Sequence, residues 1–408
     1  MRGLQLLYLP PFSIVSRFFL TSALFGLLGA LLGLYGTVAD RFSLPALVHI
    51  YTLGFMAMTM LGALFQMLPV VAGAVIERSL LVATYTHISL VLGVLTFVTG
   101  LFSGEKYTLV TGTSLMFLAL VPTASLMLFK LMRIESHTPT SGGMRYALLS
   151  LLIGVLLGSL EVFNLSGYAN LSYSWLLKAH LTVMLFGWVG ILVASVAFQV
   201  IEMFFVTPSY PRTYARLFPP AVLLSILVAS LKDVWLLKVP LSVLFISFAL
   251  ITFSRLRDRR RKIPDPLISL WYVSMGFLIA SSLLYPFAGG GATFLLFLFT
   301  FGSFAQSVIF AMMYRIIPFL VWIHLSNRGV PNAPTMHEVI NPKRVWAHFY
   351  LHLTSVFLFL VPFFTGIKVL WLFCSLAYAV SFAFLFFNLS SGVLLYLRKA
   401  GWQGASPQ

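Results

Sequence analysis

Eight histidines are the side chains of this sequence best suited to chemistry. His49, in Leu47-Val48-His49-Ile50, and His180, in Lys178-Ala179-His180-Leu181, each stand about one turn inside an apolar run. Desolvating an imidazole there costs a few kcal/mol, roughly, unless it finds a hydrogen-bond partner or a metal. Two neutral imidazoles on rigid helices are the usual axial ligands of a b-type haem, whose potential the apolar surroundings tune. The plainer reading of each is an interfacial histidine bonded to a backbone carbonyl or a lipid headgroup. His348 and His352 are four residues apart, so both rings leave one face of a helix. With His87 and His337 they would make a three- or four-histidine site, and such a donor set suits copper, zinc or haem iron better than calcium or magnesium. The alternative is a membrane-surface face on which histidine and aromatic rings anchor the helix. Arg315 is a candidate partner for a haem propionate or for Glu202, and helix-end snorkelling is the simpler account. Glu161 and Glu202 are the carboxylates placed inside apolar runs, where an ionisable group is a functional candidate. His137, beside Thr138-Pro139 in a Ser/Gly stretch, reads as solvated.

The elements that hold these groups follow from composition. Of 408 residues, 60% are hydrophobic and 9% charged, whereas soluble domains carry roughly 25% charged residues. Mean hydropathy is +0.98. A soluble globular protein is excluded. About twenty apolar residues cross a bilayer core of roughly 30 Å, and the runs between polar punctuation predict twelve helices, beginning near Ser13, Leu44, Leu80, Tyr107, Tyr146, Ser172, Tyr214, Leu236, Leu267, Ala292, Arg344 and Val369. The expectation is an all-α polytopic membrane protein, a single transmembrane domain over 1–408. The first run, Phe18 to Val38, is long enough to span and reads as a helix rather than a cleaved signal. The single cysteine, Cys374, excludes an intramolecular disulfide, a zinc ribbon and a cluster held only by cysteines.

With the N-terminus in the cytoplasm, all but six of the 26 Lys and Arg residues fall on the cytoplasmic side, which predicts both termini inside. The same bias accounts for the formal charge of +16, so the lipid bilayer is the implied partner and no nucleic acid is. The Arg257 to Lys262 run reads as a stop signal touching anionic lipid. The longest loop, Asn327 to Lys343, reads as an ordered cytoplasmic cap.

An internal repeat is also visible. Phe65-Gln66-Met67-Leu68-Pro69, Phe198-Gln199-Val200-Ile201-Glu202 and Tyr314-Arg315-Ile316-Ile317-Pro318 lie late in the second, sixth and tenth helices. Gly54 and Gly187 precede their glutamines by twelve residues, and Gly302 falls one residue off that register before Arg315. The spacing predicts three quasi-equivalent four-helix units, approximately 1–135, 136–262 and 263–408.

Twelve helices in three fours, with His49-Ile50-Tyr51-Thr52-Leu53-Gly54 and His180-Leu181-Thr182-Val183-Met184-Leu185-Phe186-Gly187 near the outer ends of the second and sixth, resemble subunit I of the haem–copper oxidase and nitric oxide reductase superfamily. The likeness is closer to NnrS-type haem–copper membrane proteins, to which Met336-His337-Glu338-Val339-Ile340 running into His348 and His352 is also similar. The resemblance implies haem b on His49, His180 or both, and copper or a second haem near His87, His337, His348 and His352. It also implies a cytoplasmic (inner) membrane, an electron-donor protein or quinone as partner, and a role in electron transfer or nitric oxide and respiratory-stress handling. If the chain is an enzyme, it is then an oxidoreductase. The superfamily's histidine pair at the start of the seventh helix is missing from Tyr214-Ala215-Arg216-Leu217-Phe218, and the tenth helix has no histidine before His324, so the oxygen-reducing binuclear centre does not carry over. The alternatives are a secondary transporter, whose sites lie between repeats and are often marked by broken helices, and a non-catalytic subunit of a respiratory complex.

Overall fold

The computed structural model describes residues 9–401. Among them twelve helices are long and apolar enough to cross a membrane, and there is no strand. The protein is an all-α, multi-pass membrane protein. The helices are α1 (Phe12–Val38), α2 (Leu44–Ala72), α3 (Ser79–Ser103), α4 (Lys106–Met132), α5 (Pro139–Leu165), α6 (Tyr173–Phe205), α7 (Arg212–Leu231), α8 (Trp235–Arg257), α9 (Pro266–Phe287), α10 (Gly291–Asn327), α11 (Pro342–Thr365) and α12 (Leu370–Gly401).

Every helix but α5 starts within two residues of its expected position. α5 begins at Pro139 rather than near Tyr146, because Thr138 is an N-cap. Its hydroxyl accepts the Ser141 amide at 3.1 Å and the Ser141 hydroxyl accepts the Thr138 amide at 2.9 Å, with Pro139 in the first turn, where its missing N–H costs nothing. The Ser/Gly stretch is therefore the opening of the helix and not a loop. His137 stays outside it, exposed, with its ring against Arg145. The Asn327 to Lys343 segment is ordered by a second capping box, Thr335 with Glu338, which opens a one-turn helix at Met336–Val339.

The described helices pack into two compact units. The first comprises Leu64–Pro264 and Tyr272–Ala305; the second comprises Pro11–Ala63, Asp265–Trp271 and the chain from Gln306 onward. These are not the thirds 1–135, 136–262 and 263–408, because the chain passes from one unit to the other inside α2, α9 and α10. Compactness follows which helix faces meet, whereas a repeat follows chain order.

The helices aligned by the repeat share an uncommon feature. Each is interrupted by π-helical turns, at Ile50–Ala57 in α2, Val183–Gly190 in α6 and Thr300–Ala305 in α10. Those segments contain Gly54, Gly187 and Gly302. The first two glycines are required by close neighbours: a Cβ on Gly54 would lie 2.7 Å from the Phe25 ring, and one on Gly187 would lie 2.6 Å from the Ser150 hydroxyl. π turns are rare and tend to mark functional positions.

Candidate functional site

The densest buried polar chemistry lies in the second unit, where α10, α11 and α12 meet. His348 and His352 project from one face of α11, as their spacing requires, and both are fully buried. α10 offers them Tyr314 and Ser307, and α12 offers Ser381 and Asn388. The Tyr314 hydroxyl bonds His348 Nδ1 at 2.8 Å, His348 Nε2 bonds the Ser381 hydroxyl at 3.1 Å, and the Asn388 amide donates to the Tyr314 hydroxyl at 3.0 Å. One turn further along α11, His352 Nε2 bonds the Ser307 hydroxyl at 2.9 Å. Next to Ser307, the Gln306 side-chain oxygen accepts a hydrogen bond from Tyr378. Phe310 separates the two levels, its ring centroid 4.7 Å from that of His348 and 5.0 Å from that of His352. Tyr51, from the π segment of α2, meets Tyr378 edge-on at 5.6 Å.

Three side-chain atoms of this cluster are buried without a hydrogen-bond partner: His352 Nδ1, Gln306 Nε2 and Asn388 Oδ1. Where α10 nears its end, Arg315 Nη2 pairs with Asp265 Oδ2 at 3.0 Å. Asp265 stands just ahead of α9. Arg315 is thus matched to a carboxylate of the protein rather than to Glu202, and its guanidinium is buried. Both nitrogens of His348 are taken by hydroxyls, an arrangement of relay or scaffold and not of a metal donor.

The other expected site residues are dispersed. His87, in α3 of the first unit, is half-buried; His337, on the short helix of the second, is exposed. Among the described residues no three histidine, cysteine or carboxylate side chains form a group that could hold a metal ion. The three- or four-histidine centre read from His87, His337, His348 and His352 is therefore not assembled. The i, i+4 pair reads as metal-like in sequence, but its rings turn inward to hydroxyls of two neighbouring helices. Cys374 is a buried thiol that donates to the Leu358 carbonyl at 3.2 Å.

His49 belongs to the second unit and His180 to the first. His49 directly precedes the π segment of α2, and His180 lies three residues before that of α6. Each ring is half-buried, and each uses Nδ1 on a backbone carbonyl: Pro45 at 2.8 Å for His49, Gly154 at 2.9 Å for His180. The His180 ring rests on Gly158, where an added Cβ would fall 2.8 Å from it. No family model matches this chain, and no curated protein matches it.

In the first unit, the π segments of α6 and α10 line a cavity of about 10 Å³ with Phe186, Phe245, Leu278, Ser282 and Phe304, enough for about one water-sized molecule. At one end of this unit Asp233 accepts from Lys178 at 2.6 Å and pairs with Lys238 at 2.7 Å. Those two ammonium groups pull the Asp233 carboxyl down to about 2.

Sequence reasoning missed Asp265, Ser307, Gln306, Tyr378, Ser381 and Asn388. A signal existed for two of them: Gln306 and Asn388 are carboxamides inside otherwise apolar runs, where an unpaired polar group is costly.

Proposed function

We propose that this protein is an integral membrane haem protein working in electron transfer, with His49, His180 or both as imidazole ligands. The supporting observation is the matched setting of the two histidines, each just ahead of a π-helical segment with Nδ1 on a backbone carbonyl. A metal-binding histidine commonly donates its other ring N–H in this way, which fixes the tautomer and directs Nε2 at the metal. The donor set therefore fits a haem iron. His49 or His180 would supply an axial nitrogen to it, and the bound haem would supply a one-electron couple. The chain's own part is to hold the two imidazoles neutral and oriented in apolar surroundings that exclude water. An oxidase-like kinship, nitric oxide or respiratory-stress handling, and a quinone or protein electron donor belong to this proposal, as does copper or a second haem. So do an inner-membrane location and cytoplasmic termini, which rest on the Lys and Arg bias.

A second reading, a secondary transporter, is favoured by the interrupted helices α2, α6 and α10, because carriers build midplane sites from broken helices. The test is a dithionite-reduced minus oxidised spectrum with a pyridine haemochrome count, on protein expressed with ample haem and purified in mild detergent. A Soret band lost in His49→Ala or His180→Ala is the expected result. Colourless wild-type protein overturns the haem reading and makes transport the better one.

A further inference from the structure

The polar cluster of α10, α11 and α12 has a chemical direction. The Asn388 amide nitrogen can only donate, so the Tyr314 oxygen accepts. The phenol's single proton then goes to His348 Nδ1, which leaves Nδ1 bare and puts the imidazole proton on Nε2, facing the Ser381 hydroxyl. Donor to acceptor, the order is Asn388, Tyr314, His348, Ser381. One turn away stand His352 and Gln306 with buried, unpartnered nitrogens, and Asn388 keeps a buried, unpartnered oxygen. Each such atom, left dry, costs about 1–3 kcal/mol. Internal water is the usual remedy in a polar setting.

We infer that the contact zone of α10, α11 and α12 is a hydrated proton path, in which His348 and His352 take up a proton and pass it on. It runs from the Arg315–Asp265 pair to Gln306 and Tyr378. Nine residues of α10 separate its ends, about 13 Å at 1.5 Å per residue, roughly half of a 30 Å bilayer core. A path of that length delivers protons from one surface to the interior without opening a leak across the membrane. In each transfer a hydronium in the path gives its extra proton to the Tyr314 oxygen, leaving water, while the phenolic proton moves to His348 Nδ1. The imidazolium then releases its Nε2 proton to Ser381 or to water. One proton enters and one leaves, and only O–H and N–H bonds change. The charged and titratable groups nearby are Arg315 on α10, Asp265 ahead of α9, Tyr378 on α12 and Tyr51 on α2. The path stands whether or not haem is bound.

The test is exchange of the imidazole N–H groups with D2O in the full-length protein in lipid bilayers, followed by nitrogen-15 histidine NMR. His348→Gln and His352→Gln identify the two signals. The expected result is exchange of both rings within minutes, slowed at least tenfold at His348 by Tyr314→Phe. Retention of both ring protons for days overturns the proposal, and so does a His348 rate unchanged by Tyr314→Phe. Ser381→Ala, which removes the acceptor with little change in volume, is read by the same criterion should Tyr314→Phe fail to fold.

Discussion

The interiors of the two units are built on different principles. In the first, buried hydroxyls bond their own helices, as Ser195 does the Ile191 carbonyl and Ser150 that of Tyr146, each four residues back, and where they bond across they do so in separate pairs, Thr86 with Thr123 at 2.7 Å and Tyr210 with Thr252 at 2.9 Å. The space between helices is filled by rings, with Phe198, Tyr210, Phe218 and Phe248 in mutual contact. In the second unit the bonds between helices join into a chain, from α12 to α10, from α10 to α11 and from α11 back to α12. A hydroxyl satisfied by its own helix tolerates almost any neighbour. An imidazole satisfied by two other helices fixes which residues those helices present, and at what height. The contrast separates isolated polar links set among rings from a connected polar network.

Perturbing the second unit should therefore cost more. The largest effect is expected for Asp265→Asn, which removes the carboxylate charge paired with the buried Arg315 guanidinium. Breaking a buried pair from one side costs 3–5 kcal/mol, and with Asp265 24% exposed about 3 kcal/mol is expected, read as a lower Tm in mild detergent. Next is His348→Phe, which strands Tyr314 and Ser381. Interhelical hydrogen bonds in membranes are worth about 0.6 kcal/mol on average and up to about 1.7, so two of them set a loss of roughly 1–3 kcal/mol. A double-mutant cycle with Ser381→Ala should show coupling between the two sites; strict additivity would break the contrast between the units.

In the first unit the expected effects are smaller. Val206, which ends α6, has φ +52°, a left-handed conformation that a β-branched residue resists. Val206→Gly should raise stability by about 1 kcal/mol, measured as Tm. The smallest effect is electrostatic. The Asp233 carboxyl is lowered in the folded protein, so its contribution is present above the unfolded value of about 4 and is lost as pH falls towards 2. Because Asp233 is 47% exposed, the gain over Asp233→Asn at neutral pH should be a few tenths of a kcal/mol, roughly, and should shrink with salt. A Tm difference that instead grew between pH 4 and pH 2 would contradict the role given to Lys178 and Lys238.

Much of the fold is legible in the sequence because the bilayer imposes a single length scale. Apolar runs of about twenty residues have nowhere else to go, and the starts of α1, α2 and α9 could be read to within a residue. Thr138-Pro139-Thr140-Ser141 misled because the same residues that make a turn also cap a helix, and only the reciprocal bonds between Thr138 and Ser141 distinguish the two. The polar cluster is less legible. His348 and His352 are visible as a pair, yet their partners, Ser381 for the first and Ser307 for the second, lie 33 and 45 residues away, on helices where a serine passes for filling. Spacing gives which face a side chain leaves, but not what another helix puts in front of it. Arg315 shows the same limit, since Asp265, fifty residues earlier, sits in a Pro-Asp-Pro turn that reads as a connector.

The π turn in α10 also takes up a residue without changing the rotational register beyond it. Each residue of an α-helix advances by about 100°, and a π turn is the mark of one residue beyond what the α-helical count would hold. Deleting a single residue within Thr300–Ala305 would leave the composition of α10 almost unchanged and its span intact. Because π turns wind by less than the α-helical advance per residue, the shortened segment would close into plain α-helix with Gln306, Ser307 and Tyr314 still facing α11 and α12, whereas the same deletion between Ser307 and Tyr314 would turn Tyr314 away from His348 by about a quarter of a revolution. The helix carries its chemistry the way a key carries its teeth, and the segment at the shoulder takes up a residue without turning them.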